Sequence, residues 1–531
     1  MPKPFYITTA IDYTNGAPHI GHAYEKVLAD VIARYHRLKG DEVFFLTGVD
    51  QHGQKVQQSA EKVGLPPQQF VDEITAKFIA LWEKLEVRYD GWAATTDPLH
   101  KKCVQGILQR LYDEEQIYKD KQEGYYSVRQ EQFLTDKERG SDGEFGPQWG
   151  EIEHRTEENY YFRLAQHREW LLGYLQSERG RDCVTPHFRQ VELVNAVEKL
   201  SGDLCISRPK SRLSWGIELP FDRDYVNYVW FDALTNYISF AGYDPTISSF
   251  ILQPSSFQNK WPALHVIGKD ILIPAHGIYW PIMLHALGFP DEQMPKLLVH
   301  GWWNISGAKM SKSLGNVVDP DSLADKYGAE ALRYYLMSDI VSGKDADFSE
   351  ERLVERHNSD LANSLGNLLN RTLNMVQRYR GGGLTRVSPE RTSADVTSGY
   401  TELVRRFEAA LPTHESNRAI EAVIENVSFF NGFIDANAPW ALAKSSAPSD
   451  QARLTEVLYD CTESIRIFAI LISPVLPAAA EGIFDQLNWK MALAGREERF
   501  SLGEVKWGQL PDGHVVGKPM PLFPRIERDP A

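Results

Sequence analysis

Residues 5–50, FYITTAIDYTNGAPHIGHAYEKVLADVIARYHRLKGDEVFFLTGVD, decide the fold of this chain. Residues 5–9 form a short β-prone run. The turn-rich residues 12–18 separate it from apolar residues spaced i, i+4 and i+8, which predict a helix that ends at Gly40. The mostly apolar residues 42–47 then predict a strand covered by helices on both faces. The pattern therefore indicates a strand–helix–strand unit of a parallel sheet.

A second unit of the same kind occurs far along the chain. Residues 264–267 and 296–300 predict strands, and a helix is expected from about His276. Between the two units, residues 117–213 are rich in charged, glutamine and aromatic residues, which indicates an inserted lobe. After about Ser349, long helical periodicities replace the strand patterns, and they predict a helical bundle.

These patterns predict an α/β protein with a Rossmann-like parallel-sheet nucleotide-binding domain. A connecting insertion splits that domain, and an α-helical domain follows it. The predicted segments are residues 1–116 (first half of the α/β domain), 117–213 (connecting insertion), 214–318 (second half), 319–350 (linking α/β segment), 351–500 (helical domain) and 501–531 (a C-terminal tail packed back on the body).

Composition limits the kind of protein. The 531 residues, 43% of them hydrophobic, suffice for about three to four domains. A net charge of −15 argues against indiscriminate nucleic-acid binding. Four cysteines without paired short spacing indicate neither a disulfide framework nor a Cys-x-x-Cys metal site, and so predict a reducing, cytoplasmic location. The most apolar stretch, residues 465–484, contains Arg466, Pro474 and Pro477, so no membrane span is expected.

The first candidate site is Pro18-His19-Ile20-Gly21-His22, where the loop enters the first helix. Ligands of open α/β sheets bind beyond the carboxyl ends of the strands, and a helix N-terminus there attracts phosphate. The glycine lets a nucleotide approach the backbone. Taken alone, the motif would also suit histidines that are packed or solvated locally at a helix start.

The second candidate site is Lys309-Met310-Ser311-Lys312-Ser313, a doubly cationic loop after the strand at residues 296–300. Two lysines and two hydroxyls can surround a triphosphate and neutralise charge on departing pyrophosphate. Alone, the pentapeptide would more often be a solvated basic loop. Two such motifs, separated by an insertion on one parallel sheet, make a chance occurrence improbable.

With their surroundings, the two motifs resemble class I aminoacyl-tRNA synthetases, and within them the methionyl-tRNA synthetases. Relatives for isoleucine, valine and leucine carry an editing insertion too long for residues 117–213, and the cysteinyl enzyme uses cysteines that are absent here. The similarity covers nearly the whole chain and includes residues 9–16 (TAIDYTNG), 48–53 (GVDQHG), 206–208 (ISR), 228–233 (YVWFDA), 268–270 (GKD) and 438–440 (APW), with Asn367 and Arg371.

The resemblance implies two-step aminoacylation with ATP, Mg²⁺, L-methionine and tRNA(Met). Asp50 resembles the family residue that receives the α-ammonium group of methionine. Arg208 resembles the residue that lies near the carboxylate of methionine and the phosphate of ATP. These two join four motif residues, His19, His22, Lys309 and Lys312, as the implied catalytic set. The implied ATP-binding residues are His19, His22, Glu218, Gly268, Asp270, Lys309 and Lys312.

The resemblance also implies a pocket for the methionine side chain. Its aromatic residues suit a thioether, because sulfur gains from contact with aromatic edges. Leu234 stands where the family usually has proline, and five residues rather than four separate Asp270 from His276. The implied methionine-binding residues are Ala10, Ile11, Tyr13, Asp50, Trp230, Ala233, Tyr237, Ile271, His276 and Trp280.

In the helical domain, the resemblance implies an anticodon site at Asn367, Arg371 and Trp440. The first two are spaced i, i+4 and share a helix face, and an exposed indole can stack on an unpaired base. Without the resemblance, Trp440 would equally fit a tryptophan buried between helices. The expected enzyme is thus an aminoacyl-tRNA ligase.

Two rival functions stay open on these residues. A catalytically silent, synthetase-like RNA-binding protein would have lost residues of the HIGH motif (19–22) or of the KMSKS motif (309–313), and both motifs are intact. A small-molecule adenylyltransferase would not need Asn367, Arg371 and Trp440. We also expect a monomer and no structural zinc, because residues 124–133, where relatives begin a zinc knuckle, contain neither cysteine nor histidine.

Overall fold

The computed structural model describes residues 2–127, 132–134, 136, 139–140, 142–305, 307–309, 317–496 and 499–527. The strands within these residues are β1 (Pro4–Thr9), β2 (Asp12–Tyr13), β3 (Glu42–Asp50), β4 (Gly91–Ala94), β5 (Ile117–Ser127), β6 (Gln132–Leu134), β7 (Ile152–Phe162), β8 (Val184–Thr185), β9 (Leu204–Cys205), β10 (Ser207–Pro209), β11 (Glu218–Leu219), β12 (Asp222–Asn227), β13 (Ala263–Gly268), β14 (Lys296–His300), β15 (Trp303–Ile305), β16 (Ala308–Lys309) and β17 (Ala346–Asp347).

Helices cover the strands and build the C-terminal part of the chain. They are α1 (Ile20–Lys39), α2 (Gln54–Val63), α3 (Pro67–Lys84), α4 (Pro98–Asp113), α5 (Arg168–Gln176), α6 (His187–Glu198), α7 (Trp230–Ser239), α8 (Ser255–Gln258), α9 (Trp280–Ala286), α10 (Pro320–Tyr327), α11 (Ala329–Asp339), α12 (Glu350–Arg356), α13 (Asn367–Arg380), α14 (Ala394–Ala410), α15 (Ser416–Asn437), α16 (Pro439–Leu442), α17 (Pro448–Ile472) and α18 (Pro477–Gln486). Leu272–Tyr279 and His357–Gly366 form wider, π-type helical segments.

The main sheet is parallel and has the strand order β2-β3-β1-β13-β14-β8, with β4 also paired to β3. The central strand β1 places Thr8 beside Leu46 of β3 on one side and His265 of β13 on the other. Every strand runs the same way, so the carboxyl ends of β1, β3, β13 and β14 meet at one edge. This arrangement confirms the predicted parallel-sheet α/β domain followed by helices.

Helix α1 forms as its sequence predicts. Its apolar residues pack into the core, and Gly40 ends it in a left-handed conformation (φ 87°, ψ 19°), which glycine adopts without a steric penalty. The helix nevertheless buries Glu25, Lys26 and Asp30 as well. Because charged groups are buried only when they are paired, these three mark places where α1 contacts other charged segments.

The predicted insertion contains its own antiparallel sheet, with the order β6-β5-β7-β9. The pair β5–β7 is in register from Ile117–Phe162 to Ser127–Ile152. One strand from the same range behaves differently, since β8 pairs in parallel with β14 at the edge of the main sheet. Residues 117–213 therefore supply both a separate lobe and an edge strand of the α/β domain.

The C-terminal tail contacts the helices that precede it. His357 Nε2 donates to the Pro524 carbonyl at 2.8 Å, and Asn358 exchanges two hydrogen bonds of 2.9 Å with the backbone of Ile526. Phe523 packs against the core shared by α1, α11, α13 and α17. These contacts agree with a tail that folds back on the body.

Candidate active site

The two histidines of the HIGH motif cap α1. His19 is the N-cap residue, and its Nδ1 accepts a hydrogen bond of 3.1 Å from the Gly21 N–H. The His22 Nδ1 accepts from the His19 N–H, also at 3.1 Å. A neutral imidazole has one donor and one acceptor nitrogen, so each neutral ring carries its proton on Nε2. The local backbone thereby selects the tautomer that can donate from Nε2 to an anion.

A cavity of about 390 Å³ opens beside these histidines, at the carboxyl ends of β1, β13 and β14. It brings together residues from the loop after β1, the first turns of α1 and the segment after β13. The predicted site residues that line it are Ala10, Ile11, Tyr13, His19, His22, Gly268, Asp270 and Ile271. A phosphate chain is suited to this place because the positive end of the α1 dipole lies here and His19 and His22 line the cavity.

The KMSKS motif lies largely outside the described residues. The backbone of Lys309 pairs with Asn304 in the β15–β16 hairpin, while Lys312 is not among the residues that the structure describes. Gly307, at the turn of the hairpin (φ 75°), donates its N–H to Asp347 Oδ1 at 2.8 Å. The hairpin anchors the start of the cationic loop next to Trp302 and Trp303, which line the cavity.

Asp50 lies buried at the carboxyl end of β3. Burial, and then the nearby charge of Asp232, raise the pKa of Asp50 well above its usual value. A cation placed beside this carboxylate would favour its ionised form. A buried carboxylate at this position fits the role that the resemblance implies for Asp50, which stays a prediction.

A second buried carboxylate, Asp232 in the first turn of α7, stands behind Asp50. His52 Nδ1 lies 2.7 Å from Asp232 Oδ2, and His100 Nε2 lies 2.8 Å from Oδ1. Although burial acts in the opposite direction, His52 and His100 lower the pKa of Asp232 to about 2. The two imidazoles thus hold Asp232 ionised.

The aromatic pocket is organised by hydrogen bonds among buried rings. His276 Nδ1 donates to the Ile271 carbonyl at 2.9 Å, and the Tyr237 hydroxyl donates to His276 Nε2 at 2.7 Å. Burial lowers the pKa of His276 to about 4, so the ring is neutral at pH 7. The phenol of Tyr237 and the imidazole of His276 therefore form a fixed, uncharged pair.

A second histidine, His265 on β13, supports this pair. Trp280 Nε1 donates to His265 Nε2 at 3.0 Å, and the opposite nitrogen of the ring contacts Thr8 Oγ1 at 2.6 Å. The ring centroids of His265 and Tyr237 are 4.1 Å apart. Trp280 is fully buried behind Tyr237, and Ala233 is 7% exposed on α7. Trp230, at the start of α7, is half-buried.

Several predicted site residues do not line the cavity, and two of them, Arg208 and Glu218, lie outside the main sheet. Arg208 on β10 is buried over the ring of Tyr228, 3.7 Å from its centroid, and donates to the Ser207 carbonyl at 2.7 Å. Glu218 on β11 is exposed and pairs with Lys210 at 2.5 Å. Both belong to the small sheet β10-β12-β11, and their implied roles at the site stay predictions.

Two of the predicted anticodon residues, Asn367 and Arg371, contact α15 in the helical domain. Asn367 Nδ2 on α13 donates to Asn431 Oδ1 on α15 at 2.9 Å, and Arg371 donates to Asp435 Oδ1 at 2.5 Å. The two pairs are one helical turn apart, because Asn367 and Arg371 on α13 are spaced i, i+4 and so are Asn431 and Asp435 on α15. Trp440 on α16 is 43% exposed, which excludes the interpretation as a tryptophan buried between helices.

Comparisons with known proteins show which family the chain belongs to. Residues 5–142 and 149–373 match the family described as tRNA synthetases class I (M), and residues 387–531 match the anticodon binding domain of methionyl tRNA ligase. The methionine–tRNA ligases of Lactococcus lactis and Deinococcus radiodurans are 40% and 42% identical over 99% of this chain, covering 78% and 75% of their own lengths. The chain belongs to the methionyl-tRNA synthetase family.

Solved structures of the family have the same fold. Mycobacterium tuberculosis methionyl-tRNA synthetase in complex with methionyl-adenylate is 36% identical, with a TM-score of 0.89 over 98% of this chain and 100% of that one. Its apo form is 33% identical, with a TM-score of 0.84 over 100% and 99% of the two chains. The fold and the membership of the family are therefore confirmed.

Five residues rather than four separate Asp270 from His276, which departs from the pattern of methionyl-tRNA synthetases. The chain is not helical throughout this stretch, because Ile273 is extended (φ −114°, ψ 122°) within Leu272–Tyr279. His276 nevertheless reaches Tyr237, whose hydroxyl lies 2.7 Å from His276 Nε2.

Sequence reasoning missed four ionisable residues at the cavity of this family member: Asp12, Glu25 and His300, which line it, and Lys26, which contacts the first two. Lys26 Nζ contacts Asp12 Oδ1 at 2.5 Å, Glu25 Oε1 at 2.9 Å and the Ala10 carbonyl at 3.0 Å. Glu25 Oε2 contacts His300 Nε2 at 3.0 Å. Burial raises the pKa of Asp12 to about 7, against the opposing effect of Lys26. The sequence signal that could have revealed them is the pair Glu25-Lys26, which interrupts the apolar face of α1.

Neither a membrane span nor a preformed metal cluster is found in the parts of the chain that the structure describes. Within them, no helix is both long and apolar enough to cross a bilayer. The same residues contain no group of three or more histidine, cysteine, aspartate or glutamate side chains arranged to hold a metal ion.

Proposed function

We propose that this chain is a methionine–tRNA ligase, which forms methionyl-adenylate from L-methionine and ATP and transfers the methionyl group to tRNA(Met). One observation carries the proposal. The capping histidines of α1, the buried Asp50 and the Tyr237–His276 pair all lie at the carboxyl edge of one parallel sheet. Membership of the family supports the same activity.

In the first step, a methionine carboxylate oxygen attacks the α-phosphorus of ATP, and the bond to the pyrophosphate leaving group breaks. Asp50 binds the ammonium group of methionine, and the positive charge of that group compensates the buried carboxylate. His19 and His22 donate from Nε2 to phosphate oxygens, and Lys309 and Lys312 neutralise the charge of the leaving pyrophosphate. No covalent enzyme intermediate is needed, so positioning and electrostatic stabilisation supply the catalysis.

Mg²⁺ accompanies ATP in this proposal. The ion prefers phosphate oxygens and water and dehydrates reluctantly, and the described residues contain no three-ligand metal cluster. We therefore expect Mg²⁺ to enter bound to the ATP phosphates, where it neutralises their charge. Gly268 and Asp270, at the end of β13, lie next to the same cavity and suit the adenosine part of the nucleotide.

Selectivity for methionine comes from the aromatic pocket. A purely aliphatic pocket would separate methionine from leucine by only about 1–3 kcal/mol, whereas aromatic edges add favourable contacts to sulfur. The neutral Tyr237–His276 pair presents polarised edges without a charge. The proposed pocket residues are Ala10, Ile11, Tyr13, Trp230, Ala233, Tyr237, Ile271, His276 and Trp280.

In the second step, the 2′-hydroxyl of the terminal tRNA adenosine attacks the methionyl carbonyl carbon, and AMP leaves. The anticodon is read far from this reaction. Trp440 stacks on an anticodon base, while Asn367 and Arg371 contact base edges or phosphate. Arg371 must exchange its contact with Asp435 for one with the RNA.

The organisation of the protein forms part of the proposal. We keep the six segments with boundaries at residues 116, 213, 318, 350 and 500, with β8 counted as an edge strand that the insertion contributes to the α/β domain. We further propose a cytoplasmic monomer without structural zinc. Sedimentation at micromolar concentration tests the monomer, and a dimer there would contradict it.

Methionine-dependent exchange between pyrophosphate and ATP, followed by tRNA charging, tests the function. A methionine–tRNA ligase performs both reactions. A silent RNA-binding protein performs neither, and a small-molecule adenylyltransferase shows no charging. Exchange that leucine supports as well as methionine would contradict the proposed specificity.

A further inference from the structure

Arg333 on α11 is a fully buried arginine where the α/β domain meets the helical domain. Its guanidinium donates from all three nitrogens. Nε donates to the Val475 carbonyl at 2.8 Å, and Nη2 donates to the Pro474 carbonyl at 2.9 Å and to Asp30 Oδ2 at 2.7 Å. Nη1 donates to the Leu85 carbonyl at 2.9 Å. One side chain thus connects three segments that are far apart in the sequence.

Asp30 joins this guanidinium to α1. The carboxylate is fully buried. Its Oδ2 also accepts from Arg34 Nε at 2.8 Å, and its Oδ1 accepts the N–H of Arg88 at 2.9 Å. Although burial acts against the charge, Arg34 and Arg333 hold the pKa of Asp30 below its usual value. The contact between Arg333 and Asp30 is therefore an ion pair of two buried groups.

The carbonyls of Pro474 and Val475 lie just beyond the C-terminus of α17. A cation is favourable there, because the end of a helix carries a partial negative charge. Helix α17 has 25 residues, and at 1.5 Å per residue it is about 37 Å long. Arg333 therefore holds one end of a long, stiff element of the helical domain.

The other end of α17 contacts the helices around Trp440, the proposed anticodon residue. Arg453 donates from Nε and Nη2 to Asn437 Oδ1, at 2.9 and 2.7 Å. Gln451 Nε2 donates to the Leu442 carbonyl at 3.2 Å. Asn437 ends α15, and Leu442 ends α16, the helix that carries Trp440. Helix α17 thus runs from the surroundings of Trp440 to the guanidinium on α11.

Helix α1 continues the connection to the proposed active site. It begins with the HIGH motif, and Asp30 lies about 12 Å along the helix axis from His22. Two helices and one buried ion pair therefore separate Trp440 from the HIGH histidines. The pair of Arg333 and Asp30 is the point where the two helices are joined.

We propose that Arg333 is a positioning residue for tRNA charging, which ties the end of α17 to Asp30 of α1 and so sets the distance between Trp440 and the active site. This inference rests on the proposed function. A tRNA must contact both places at once, and two linked contacts reinforce each other only when their spacing fits. Adenylation uses only small molecules at the active site, so it does not depend on this distance.

The test compares two reactions of the same preparation, methionine-dependent pyrophosphate exchange and the charging of tRNA(Met). The variants are Arg333→Lys, which keeps the charge but lacks the planar fork of donors, Asp30→Asn and the double variant. Binding of an isolated anticodon stem-loop RNA is measured as well. Exchange and charging by the wild type establish the proposed function first, and their absence would refute that function independently of Arg333.

Arg466→Lys is the matched control. Arg466 is also fully buried, and it lies on α17 itself. It pairs with Glu463 at 2.6 Å and donates to the carbonyls of Glu504 and Lys506, at 2.9 and 2.8 Å. These are the same kinds of contact, but all three partners lie beyond α15 in the chain. The control therefore removes a comparable buried guanidinium without breaking the connection to α1.

We expect Arg333→Lys to lower kcat/KM for tRNA charging roughly 10- to 100-fold, because a misplacement of about 1 Å can slow a reaction about 100-fold. Exchange should stay within about threefold of the wild type, and the isolated stem-loop should bind as before. Asp30→Asn should change the ratio of charging to exchange in the same direction. The double variant should charge no worse than the poorer single variant, because both substitutions act on one contact. Arg466→Lys should keep the wild-type ratio.

A merely structural role of Arg333 would give a different result. Arg333→Lys would then lower the melting temperature and reduce charging and exchange by the same factor, as expected for Arg466→Lys. An unchanged ratio of charging to exchange overturns the proposal, and so does weaker binding of the isolated stem-loop, which would place the defect at the anticodon residues. If Arg333→Lys does not fold, the nearly isosteric Asp30→Asn decides alone, because an unchanged ratio in that variant also overturns the proposal.

Discussion

The imidazole rings of His19 and His22 lie face to face at the start of α1, with their centroids 3.7 Å apart. Each Nδ1 accepts a backbone N–H of the first helical turn. The same two side chains therefore cap the helix with one nitrogen and, in the proposed function, donate from the other to phosphate. The proposal thus assigns stability and catalysis to different atoms of these residues.

Substitution of His22 tests this division. His22→Asn retains an oxygen near the place of Nδ1 and should keep the helix capped, but it lacks a donor at Nε2. We expect exchange to fall about 100- to 1000-fold. His22→Gln places an amide near Nε2, so it should be more active and less stable than His22→Asn. Melting temperatures and exchange rates measure both effects, and the reverse order of activity would contradict the tautomer argument.

Lys312→Ala should lower the adenylation rate by orders of magnitude and leave methionine binding nearly intact, because its contact is expected mainly with phosphate in the transition state. Lys326→Ala is the control, since this lysine pairs with Glu350 on the surface outside the loop. Single-turnover adenylation and equilibrium methionine binding separate the two quantities. Normal turnover combined with weak methionine binding would contradict the role proposed for Lys312.

Trp440→Ala should weaken tRNA charging strongly and leave pyrophosphate exchange almost unchanged. Stacking of one base on an aromatic ring contributes about 1–3 kcal/mol, so the KM for tRNA should rise about 5- to 150-fold. Phe188→Ala is the matched control, because Phe188 is 45% exposed on α6. Equal charging by the two variants would contradict the proposed role of Trp440 in binding the anticodon.

Asp460→Asn should stabilise the protein at alkaline pH. The side chain is fully buried on α17, and neither oxygen has a hydrogen-bond partner among the described residues. Burial raises its pKa to about 7, with Arg453 opposing the shift. Because the folded state binds this proton more tightly than the unfolded state, stability is complete below about pH 4 and falls as the pH rises through 7.

The expected gain from Asp460→Asn is about 1–4 kcal/mol at pH 8 and much less at pH 5. Urea denaturation at the two pH values measures it, with the exposed Asp72→Asn as the control. A variant no more stable than the wild type at pH 8 would show that a bound group, such as water, compensates the Asp460 carboxylate.

The protein purified without chelators should contain no stoichiometric zinc. In the insertion, the guanidinium of Arg139 lies over Phe145 and Tyr125, 4.3 and 5.0 Å from their ring centroids. His154, the imidazole nearest in sequence, lies 3.9 Å from Glu123. We expect this packing to hold the lobe. Elemental analysis measures the metal content, and zinc lost together with structure on chelation would contradict the prediction.

Several elements could be predicted because their signals are local. The period of apolar residues in α1, the glycine at its end and the strands on either side of it need only neighbouring residues. The motifs around His19 and Lys309 identified the family for the same reason. The joining of β8 to β14 could not be predicted in this way, since a strand of two residues carries no periodicity.

The sequence by itself determined the parallel α/β unit, the helical C-terminal part and the family, because chain periodicity and short motifs express backbone preferences of adjacent residues. Only the tertiary structure decided which charges meet. Glu25 and His300 are 275 positions apart in the chain, and His52 and Asp232 are 180 positions apart. A buried charge requires a partner but does not specify where in the chain that partner comes from. The folded sheet decides which residues become partners, because the ends of its strands come together at one edge.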